Sequence, residues 1–198
     1  IWLGGRQQLA KVDTTTIQLG TDMVVFQDSV NNLGVMFDGR LSMKEHIGRT
    51  CRSSYYQLRQ LRTIRQSLSS KACSQLVHAF INSRLDYCNS LLVGVSGHLL
   101  DQLQSVLRAA ARLVLRKRKY DHISDDIREK LHWLPIRQRI SYKLSLLVFK
   151  CLHGEAPPYL SEMLRLVADN PALCSHCSAA HGDLIEPRTV TKTLGPHT

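Results

Sequence analysis

The chain has 198 residues, 43% of them hydrophobic and 21% charged, a composition that permits a buried core and is not that of a disordered polypeptide. Its formal net charge is +10 at pH 7, which favours a polyanionic partner. No apolar run reaches the roughly 18 residues of a membrane span, and no secretory leader opens the chain. The expected partners therefore do not include a membrane. Because the chain begins at Ile1 without an initiator Met, we expect a fragment.

The first forty residues predict short β-strands. Residues 15–19 and 23–26 are rich in β-branched and apolar side chains and flank a Gly-containing turn, a pattern typical of a hairpin. The runs Ile1-Trp2-Leu3 and Leu33 to Asp38 predict further strands, each followed by glycine. So few short strands form only a small sheet, which we expect to need a partner layer.

From Ser42 the apolar period becomes helical. Ser42-Met43-Lys44-Glu45 matches a capping box, in which the Ser42 hydroxyl accepts from a backbone N–H and Glu45 reaches back. This helix is expected to run to about Gln66. Its apolar face consists of Ile47, Cys51, Leu58, Leu61 and Ile64. A second helix is expected after Ser70 and carries Leu76, Val77 and Phe80.

The remaining sequence predicts three more helices and a tail. Ser96 can cap a helix whose amphipathic stripe is the clearest in the chain, Ser124 begins a short helix, and Ile136 to Leu152 forms a last long helix stopped by Gly154. The stripe consists of Leu100, Leu103, Leu107, Ala110 and Val114. Residues beyond 170 are irregular and polar. The predicted fold class is mainly α: a short N-terminal β-hairpin or small antiparallel sheet, a basic helical bundle, and an irregular C-terminal tail.

The positive charge is concentrated in the middle of the chain. Residues 1–40 hold 3 Lys and Arg against 4 Asp and Glu, residues 41–153 hold 20 against 7, and residues 154–198 hold 3 against 5. The net charges of the three segments are therefore −1, +13 and −2. This asymmetry favours a nucleic-acid binder, and the alternative is a solvated basic surface kept for solubility.

Two basic clusters are the candidate contacts to a phosphate backbone. Four arginines follow one face of the first long helix, with Tyr55 and Tyr56 available for sugar or base contacts, and a second group ends the third helix. The candidate nucleic-acid-binding residues are Arg49, Arg52, Arg59, Arg62, Arg112, Arg116 and Lys119. For any single arginine the alternative is a solvated helix face. The interpretation requires these cations to share one concave side.

Other candidate sites have simpler explanations. Asp125-Asp126 is the only adjacent carboxylate pair, but it opens a predicted helix, where acidic residues complement the helix dipole. Cys174-Ser175-His176-Cys177 with His181 has zinc-like spacing, yet no second ligand pair follows, so accidental clustering is the alternative and no metal site is predicted. Four of the six cysteines lie in helical patterns, which favours a reducing, intracellular compartment, either nucleus or cytoplasm. No phosphate-binding loop or nucleophile elbow is present.

Several segments, in order, resemble the reverse transcriptases of non-LTR (LINE-type) retrotransposons. Leu33-Gly34-Val35-Met36-Phe37-Asp38 is similar to the strand that follows the catalytic palm in that family. The most specific matches are Ser83-Arg84-Leu85-Asp86-Tyr87-Cys88-Asn89 and Leu131-His132-Trp133-Leu134-Pro135. Ala109-Ala110-Ala111-Arg112 and Pro157-Pro158-Tyr159-Leu160 resemble later landmarks of the family. Residues 170–198 depart from it.

The resemblance implies a division of the chain into three parts. Residues 1–40 would form the closing palm strands, with Leu33 and Gly34 in the primer-grip region, residues 41–153 a helical thumb, and residues 154–198 a short helix and tail. The family's catalytic aspartates precede the matching region, so no catalytic residue is carried over. The chain alone is then inactive and holds no cofactor, although the intact parent would use Mg²⁺.

The leading hypothesis is a C-terminal part of a LINE-type RNA-directed DNA polymerase. Its expected partners are the backbone of RNA or RNA/DNA duplex and the upstream fingers and palm of the same polypeptide. One alternative is a non-enzymatic helical interaction module, in which the stripe from Leu100 to Val114 docks a partner helix. A second alternative is a non-functional remnant of such an element.

Overall fold

In a computed structural model that describes residues 1–169 and 183–185, the chain is mainly helical, at 56%, with two small antiparallel hairpins at its N-terminus and a helical bundle after them. The predicted fold class is confirmed. The strands are β1 Thr16–Leu19, β2 Asp22–Val25, β3 Ser29–Asn32 and β4 Val35–Asp38. The α-helices are α1 Arg6–Leu9, α2 Lys44–Thr63, α3 Ser70–Val77, α4 Ser83–Asp86, α5 Gly97–Val114, α6 Ser124–Glu129, α7 Ile136–Leu152 and α8 Pro158–Ser161.

The two hairpins are separate two-stranded sheets. Strand β1 pairs with β2 as predicted, with Thr16 opposite Val25 and Leu19 opposite Asp22. Strand β4 pairs with β3, and the Leu33-Gly34 turn joins them. The sequence signal missed β3 because its polar residues, Ser29 and the asparagines, resemble a loop. Leu33 and Gly34 were expected in the strand, but they form the turn.

The predicted strand at Ile1-Trp2-Leu3 is wrong. This segment makes single contacts instead of a ladder: the Trp2 indole donates to the Thr14 carbonyl at 3.2 Å, and its ring packs on Phe26 with 4.9 Å between centroids. The short helix α1 follows it, with Gly5 as its N-cap. The packing of Trp2 on Phe26 therefore holds the N-terminal segment where a short strand was predicted.

The predicted capping box at Ser42 does not form. Helix α2 begins at Lys44 with Met43 as its N-cap at φ 59°, in the left-handed region. Asp38 at the end of β4 competes for Ser42: its carboxylate accepts from the Ser42 hydroxyl at 2.8 Å and from the Ser42 backbone N–H at 3.0 Å. The helix also ends earlier than predicted, at Thr63, and a short 3₁₀ turn at Arg65–Ser67 follows.

The core lies between α2 and α5. Four of the five predicted apolar residues of α2 are buried, and Ile64, just beyond the helix end, is exposed. All five residues of the predicted α5 stripe are buried against α2, α3 and α6. The buried residues of α5 are Leu100, Leu103, Val106, Leu107, Ala110, Ala111, Leu113 and Val114. Burial of each of these leucines away from water contributes about 1.5–3 kcal/mol to the free energy of unfolding.

A π-helical turn at His78–Asn82 joins α3 to α4. Its wider hydrogen-bond spacing keeps residues four apart on the buried face, so Val77, Ile81 and Leu85 all enter the core. Phe80, expected on the apolar face of a regular helix, is instead 41% exposed. A turn of this kind cannot be recognised from ordinary helical periodicity.

Helix α7 has the predicted bounds, and Gly154 follows it at φ 71°, a conformation that ends helices. Residues 1–139 and 140–198 form two compact units. In the second unit, an antiparallel bridge pairs Leu166 with Leu184. No helix among the described residues is both long and apolar enough to cross a membrane. The described cysteines, Cys51, Cys73, Cys88 and Cys151, are free thiols.

Candidate nucleic-acid interface

A groove of about 1100 Å³ lies along the packed pair α2 and α5. Eight of its lining residues are cationic, and none of the described residues that line it is acidic. The lining cations are Arg59, Arg62, Arg65, Arg108, Arg112, Arg116, Lys117 and Lys119. We call this feature the basic groove. Positive groups on both walls of one concavity raise the local potential more than the same groups spread over a convex surface.

Helical spacing places these cations on the two walls. Arg59 and Arg62 lie three residues apart on α2, and Arg108 and Arg112 lie four apart on α5, with Arg116 just beyond its end. Residues three or four apart on a helix are neighbours on one face. Arg116 adopts φ 54°, which turns the chain after α5 and brings Lys117 and Lys119 to the same groove.

Arg65 holds the two walls together. It is only 7% exposed, and its guanidinium donates to three carbonyls: Leu113 at 2.8 Å, Val114 at 2.9 Å and Leu68 at 2.9 Å. The carbonyls in the last turn of a helix lack partners within the helix, and a cation there also complements the helix dipole. Arg65 therefore fixes the end of α2 against the end of α5.

The structure brings together five of the seven predicted contact residues: Arg59, Arg62, Arg112, Arg116 and Lys119 all line the basic groove. The other two do not. Arg52 lines a separate concavity of about 810 Å³ formed with the N-terminal segment, and Arg49 lines neither. Arg49 instead lies near His46, whose pKa is lowered first by burial and then by the Arg49 charge.

Three groove cations were absent from the predicted set: Arg65, Arg108 and Lys117. Arg65 lies just beyond the end of α2, where its approach to the end of α5 is a tertiary contact with no local sequence signal. Arg108 stands alone in the sequence between apolar residues, and only its four-residue spacing to Arg112 signals a shared face. Lys117 was noted within the basic run but not chosen. Helical spacing along α5 was thus the available signal for Arg108.

The groove cations differ in how many hydrogen bonds and ion pairs they make within the protein. Within residues 1–169 and 183–185, the guanidinium groups of Arg59, Arg62 and Arg108 have no hydrogen bond or ion pair. Arg112 donates to the Asp121 carbonyl at 3.1 Å. Lys117 pairs with the Asp126 carboxylate and also donates to the His122 carbonyl at 3.1 Å. The first three arginines are therefore the most available for an external anion.

Asp126 serves the fold and does not form a metal site with Asp125. Its carboxylate accepts from Lys117 and from Lys130, the latter at 2.7 Å, and these hydrogen bonds, led by that from Lys117, lower the pKa of Asp126 to about 2. Asp125 instead lies 3.6 Å from His122. Two ammonium groups occupy the oxygens that a divalent cation would need, so this pair does not fit Mg²⁺.

No group of three or more metal-ligating side chains occurs among the residues that the structure describes. The cluster Cys174-Ser175-His176-Cys177, together with His181, lies outside the described residues. The zinc-like spacing in the tail therefore stays an observation on the sequence.

A residue at the end of α4 fixes the position of the Leu33-Gly34 turn. The Tyr87 hydroxyl donates to the Leu33 carbonyl at 2.5 Å, and the Tyr87 ring lies beside Gly34. Both turn residues have positive φ, 48° for Leu33 and 85° for Gly34, and the Leu33 side chain is 85% exposed. The pair thus forms a fixed turn that presents an apolar side chain to solvent.

Comparison with models of known families, with characterised proteins and with solved structures found no match. The resemblance to non-LTR reverse transcriptases stays a prediction. The physical character of the basic groove is independent of that resemblance. A groove with cations on both walls and no lining carboxylate among the described residues can bind a polyanion through its phosphates.

Proposed function

We propose that this chain is the palm-edge, thumb and tail part of a LINE-type reverse transcriptase, and that it holds template–primer nucleic acid by the backbone. The observation that carries the proposal is the basic groove, whose lining includes eight cations and no carboxylate among the described residues, with Arg59, Arg62 and Arg108 unpaired within the described structure. Phosphate contacts of this kind supply affinity that does not depend on base sequence. The concentration of positive charge in residues 41–153 supports the same function.

The proposal gives the Leu33-Gly34 turn a primer-grip-like role. A hairpin tip whose carbonyl is held by Tyr87 keeps its position relative to α4 and the helices packed against it. Gly34 adopts φ 85°, which other residues rarely adopt, and the place where a side chain would begin lies against the Tyr87 ring, so glycine keeps the turn tight. The exposed Leu33 side chain can then pack against a sugar.

No catalytic residue is assigned to residues 1–198. In the intact polymerase, Mg²⁺ would neutralise the charge that develops on the phosphates, and by the family resemblance its aspartate ligands belong to a segment outside this chain. The chain alone is accordingly expected to bind template–primer and not to extend it. Its residues bind and orient the duplex.

The alternative of a helical interaction module required an exposed apolar face on α5. The residues of that face are buried in the chain's own core, including Leu103 at 2% exposure and Leu107 at 0%. The stripe from Leu100 to Val114 is thus occupied by α2, α3 and α6. The alternative of a non-functional remnant is tested by the coding sequence upstream of Ile1, where a working polymerase would encode its catalytic aspartates.

The proposal is tested by fluorescence anisotropy of a labelled RNA/DNA duplex with the 198-residue chain over a range of salt concentrations. Each phosphate contact contributes a slope of about −0.9 to the plot of log affinity against log salt. The variant Arg59→Gln/Arg62→Gln should therefore lower the steepness of that slope by about 2. Affinity that does not change between low and high salt would contradict the proposal.

The same helix offers a matched control. Arg49→Gln/Arg52→Gln removes the same charge from α2 but outside the basic groove. We expect this control to weaken binding less than the groove variant does. Equal losses from the two variants would mean that net charge, and not the groove, holds the nucleic acid.

A further inference from the structure

The shape of the basic groove bears on which nucleic-acid form can enter it. Its walls, α2 and α5, pack directly against each other, and packed helices lie about 8–10 Å apart between axes. A double helix is wider, since its major groove alone is about 12 Å across and admits a whole α-helix. A duplex can rest on the rim of the basic groove, but only a narrower ligand reaches its floor.

The lining of the groove also contains apolar side chains beside its cations. Leu58, Ala109 and Leu113 line it together with the aromatic ring of Tyr55. A duplex exposes its phosphates and sugars and keeps its bases stacked inside. Its bases therefore cannot pack against the apolar side chains of the groove. An unpaired nucleotide has a flat apolar base and an anionic phosphate, and it matches both parts of the groove.

Tyr55 is placed to contact that base. Its residue is 40% exposed, and it precedes Arg59 and Arg62 by four and seven residues, which puts all three on one face of α2. The pKa of the Tyr55 phenol is raised by burial and then by Cys51. The ring is therefore neutral at physiological pH and does not repel phosphate.

The opposite wall leaves room beside the ring. Helices α2 and α5 end together, as the bonds from Arg65 to Leu113 and Val114 establish, so Tyr55 lies near the level of Ser105 on α5. Ser105 and Ala109 are small residues four apart on the wall facing the groove. Large side chains at these two positions would fill the space that a base needs.

We infer that the basic groove binds a single strand of nucleic acid, with an unpaired base stacked on Tyr55 and its phosphates on Arg59, Arg62 and Arg108. This inference rests on the proposed function and narrows its ligand from duplex to single strand within the groove. Stacking on an aromatic ring tolerates every base, because each has a π-face. The site is accordingly sequence-tolerant and takes either RNA or DNA single strands.

The test compares labelled single-stranded RNA, single-stranded DNA and an RNA/DNA duplex, all about ten nucleotides long, a length within the usual site size of single-strand grooves. Anisotropy with the 198-residue chain should give tighter binding to both single strands than to the duplex. Tighter binding to only one of the two strands would identify a further contact to the sugar and would keep the single-strand assignment. Duplex binding as tight as single-strand binding would overturn the inference.

Tyr55→Ala should weaken single-strand binding about tenfold and leave duplex binding unchanged. Tyr55→Phe, which keeps the ring, should retain the affinity of the wild-type chain. Tyr56→Ala is the matched control, because Tyr56 is the adjacent residue on α2, is 53% exposed and does not line the groove. Equal behaviour of Tyr55→Ala and Tyr56→Ala would overturn the stacking arrangement.

The outcomes separate this inference from the proposed function. If Arg59→Gln/Arg62→Gln loses binding and Tyr55→Ala has no effect, the proposed binding of the nucleic-acid backbone is supported and the single-strand site is rejected. Absence of binding to all three nucleic acids would reject both. Urea unfolding of each variant shows whether a loss of affinity arises from a loss of folded protein.

Discussion

The guanidinium of Arg65 donates from Nε to the carbonyl of Leu113 at 2.8 Å, across 48 residues of sequence. The same group reaches Val114 and Leu68, so one buried cation satisfies the last carbonyls of α5 and the turn after α2. The walls of the basic groove are held at this point. Arg116, just beyond the end of α5, also donates to the Leu68 carbonyl, at 3.5 Å.

Arg65→Ala should lower the free energy of unfolding by about 2–4 kcal/mol. Hydrogen bonds to a charged group contribute about 1.5–3 kcal/mol each at most, and the substitution also leaves buried carbonyls without a partner. Arg59→Ala is the control, since Arg59 is exposed and unpaired in the described structure, and it should change stability by less than about 0.5 kcal/mol. Urea denaturation measures both, and equal effects would mean that Arg65 does not hold the helix ends.

Tyr87→Phe should destabilise the β3–β4 hairpin by about 0.5–1 kcal/mol, because it removes the hydroxyl that donates to the Leu33 carbonyl. The effect should be local. Amide hydrogen exchange should accelerate in residues 29–38 and stay unchanged in α5. Tyr56→Phe serves as the control, since the Tyr56 hydroxyl makes no hydrogen bond among the described residues. Unchanged exchange in the hairpin would show that Tyr87 does not fix the turn.

Asp126 predicts a pH dependence of stability in the acid range. Hydrogen bonds, first from Lys117 and then from Lys130, lower its pKa from 3.8 to about 2 in the folded chain. A carboxyl whose pKa is lower in the folded state stabilises the fold at pH values above its unfolded pKa, and this contribution is lost as the pH falls through the folded pKa. Wild type should therefore exceed Asp126→Asn in stability at neutral pH.

That difference should shrink as the pH falls from about 4 to about 2, the interval between the two pKa values. Thermal unfolding of both proteins across this interval measures it. Asp125→Asn is the control, because the Asp125 side chain is 74% exposed and its carboxylate lies 3.6 Å from the ring of the equally exposed His122. A stability difference that stays constant down to pH 2 would contradict the role of Asp126.

Arg108→Gln should weaken binding of nucleic acid and lower the steepness of the salt dependence by about 1, as expected for one lost phosphate contact. Arg108 lines the basic groove and has no partner among the described residues, so its loss should leave folding stability within about 0.5 kcal/mol of wild type. Arg49→Gln is the control outside the groove. A larger effect of the Arg49 variant on the salt slope would remove Arg108 from the interface.

Local patterns were sufficient for much of the fold. The β1–β2 hairpin, the buried stripe of α5 and both ends of α7 follow from turn residues and apolar spacing within a short window. They depend on interactions between residues close in sequence, and such interactions can be predicted from the order of residue types alone. The predicted fold class was confirmed for the same reason.

Competition between elements decided the features that local patterns missed. Ser42 has the sequence of a helix cap, but its hydroxyl and backbone N–H both donate to the Asp38 carboxylate at the end of β4, and the N-cap position moves one residue on, to Met43. The run at Ile1 has the sequence of a strand, but the packing of Trp2 on Phe26 holds it otherwise. In both cases the local pattern does not identify the residue that decides the conformation, which is Asp38 for Ser42 and Phe26 for Trp2.

The amino-acid sequence by itself determined that residues 41–153 are strongly basic and that arginines follow one face of α2. It did not determine which of them act together, because Arg49, Arg52, Arg59 and Arg62 have the same helical spacing signal. Only the packing of α2 on α5 separates them: it sets Arg59 and Arg62 opposite Arg108 and Arg112, while Arg52 borders the N-terminal segment. Electrostatic potential depends on the distances between charges in space. The basic groove is formed by two helices far apart in sequence, and the residue spacing within one helix does not show which other helix packs against it.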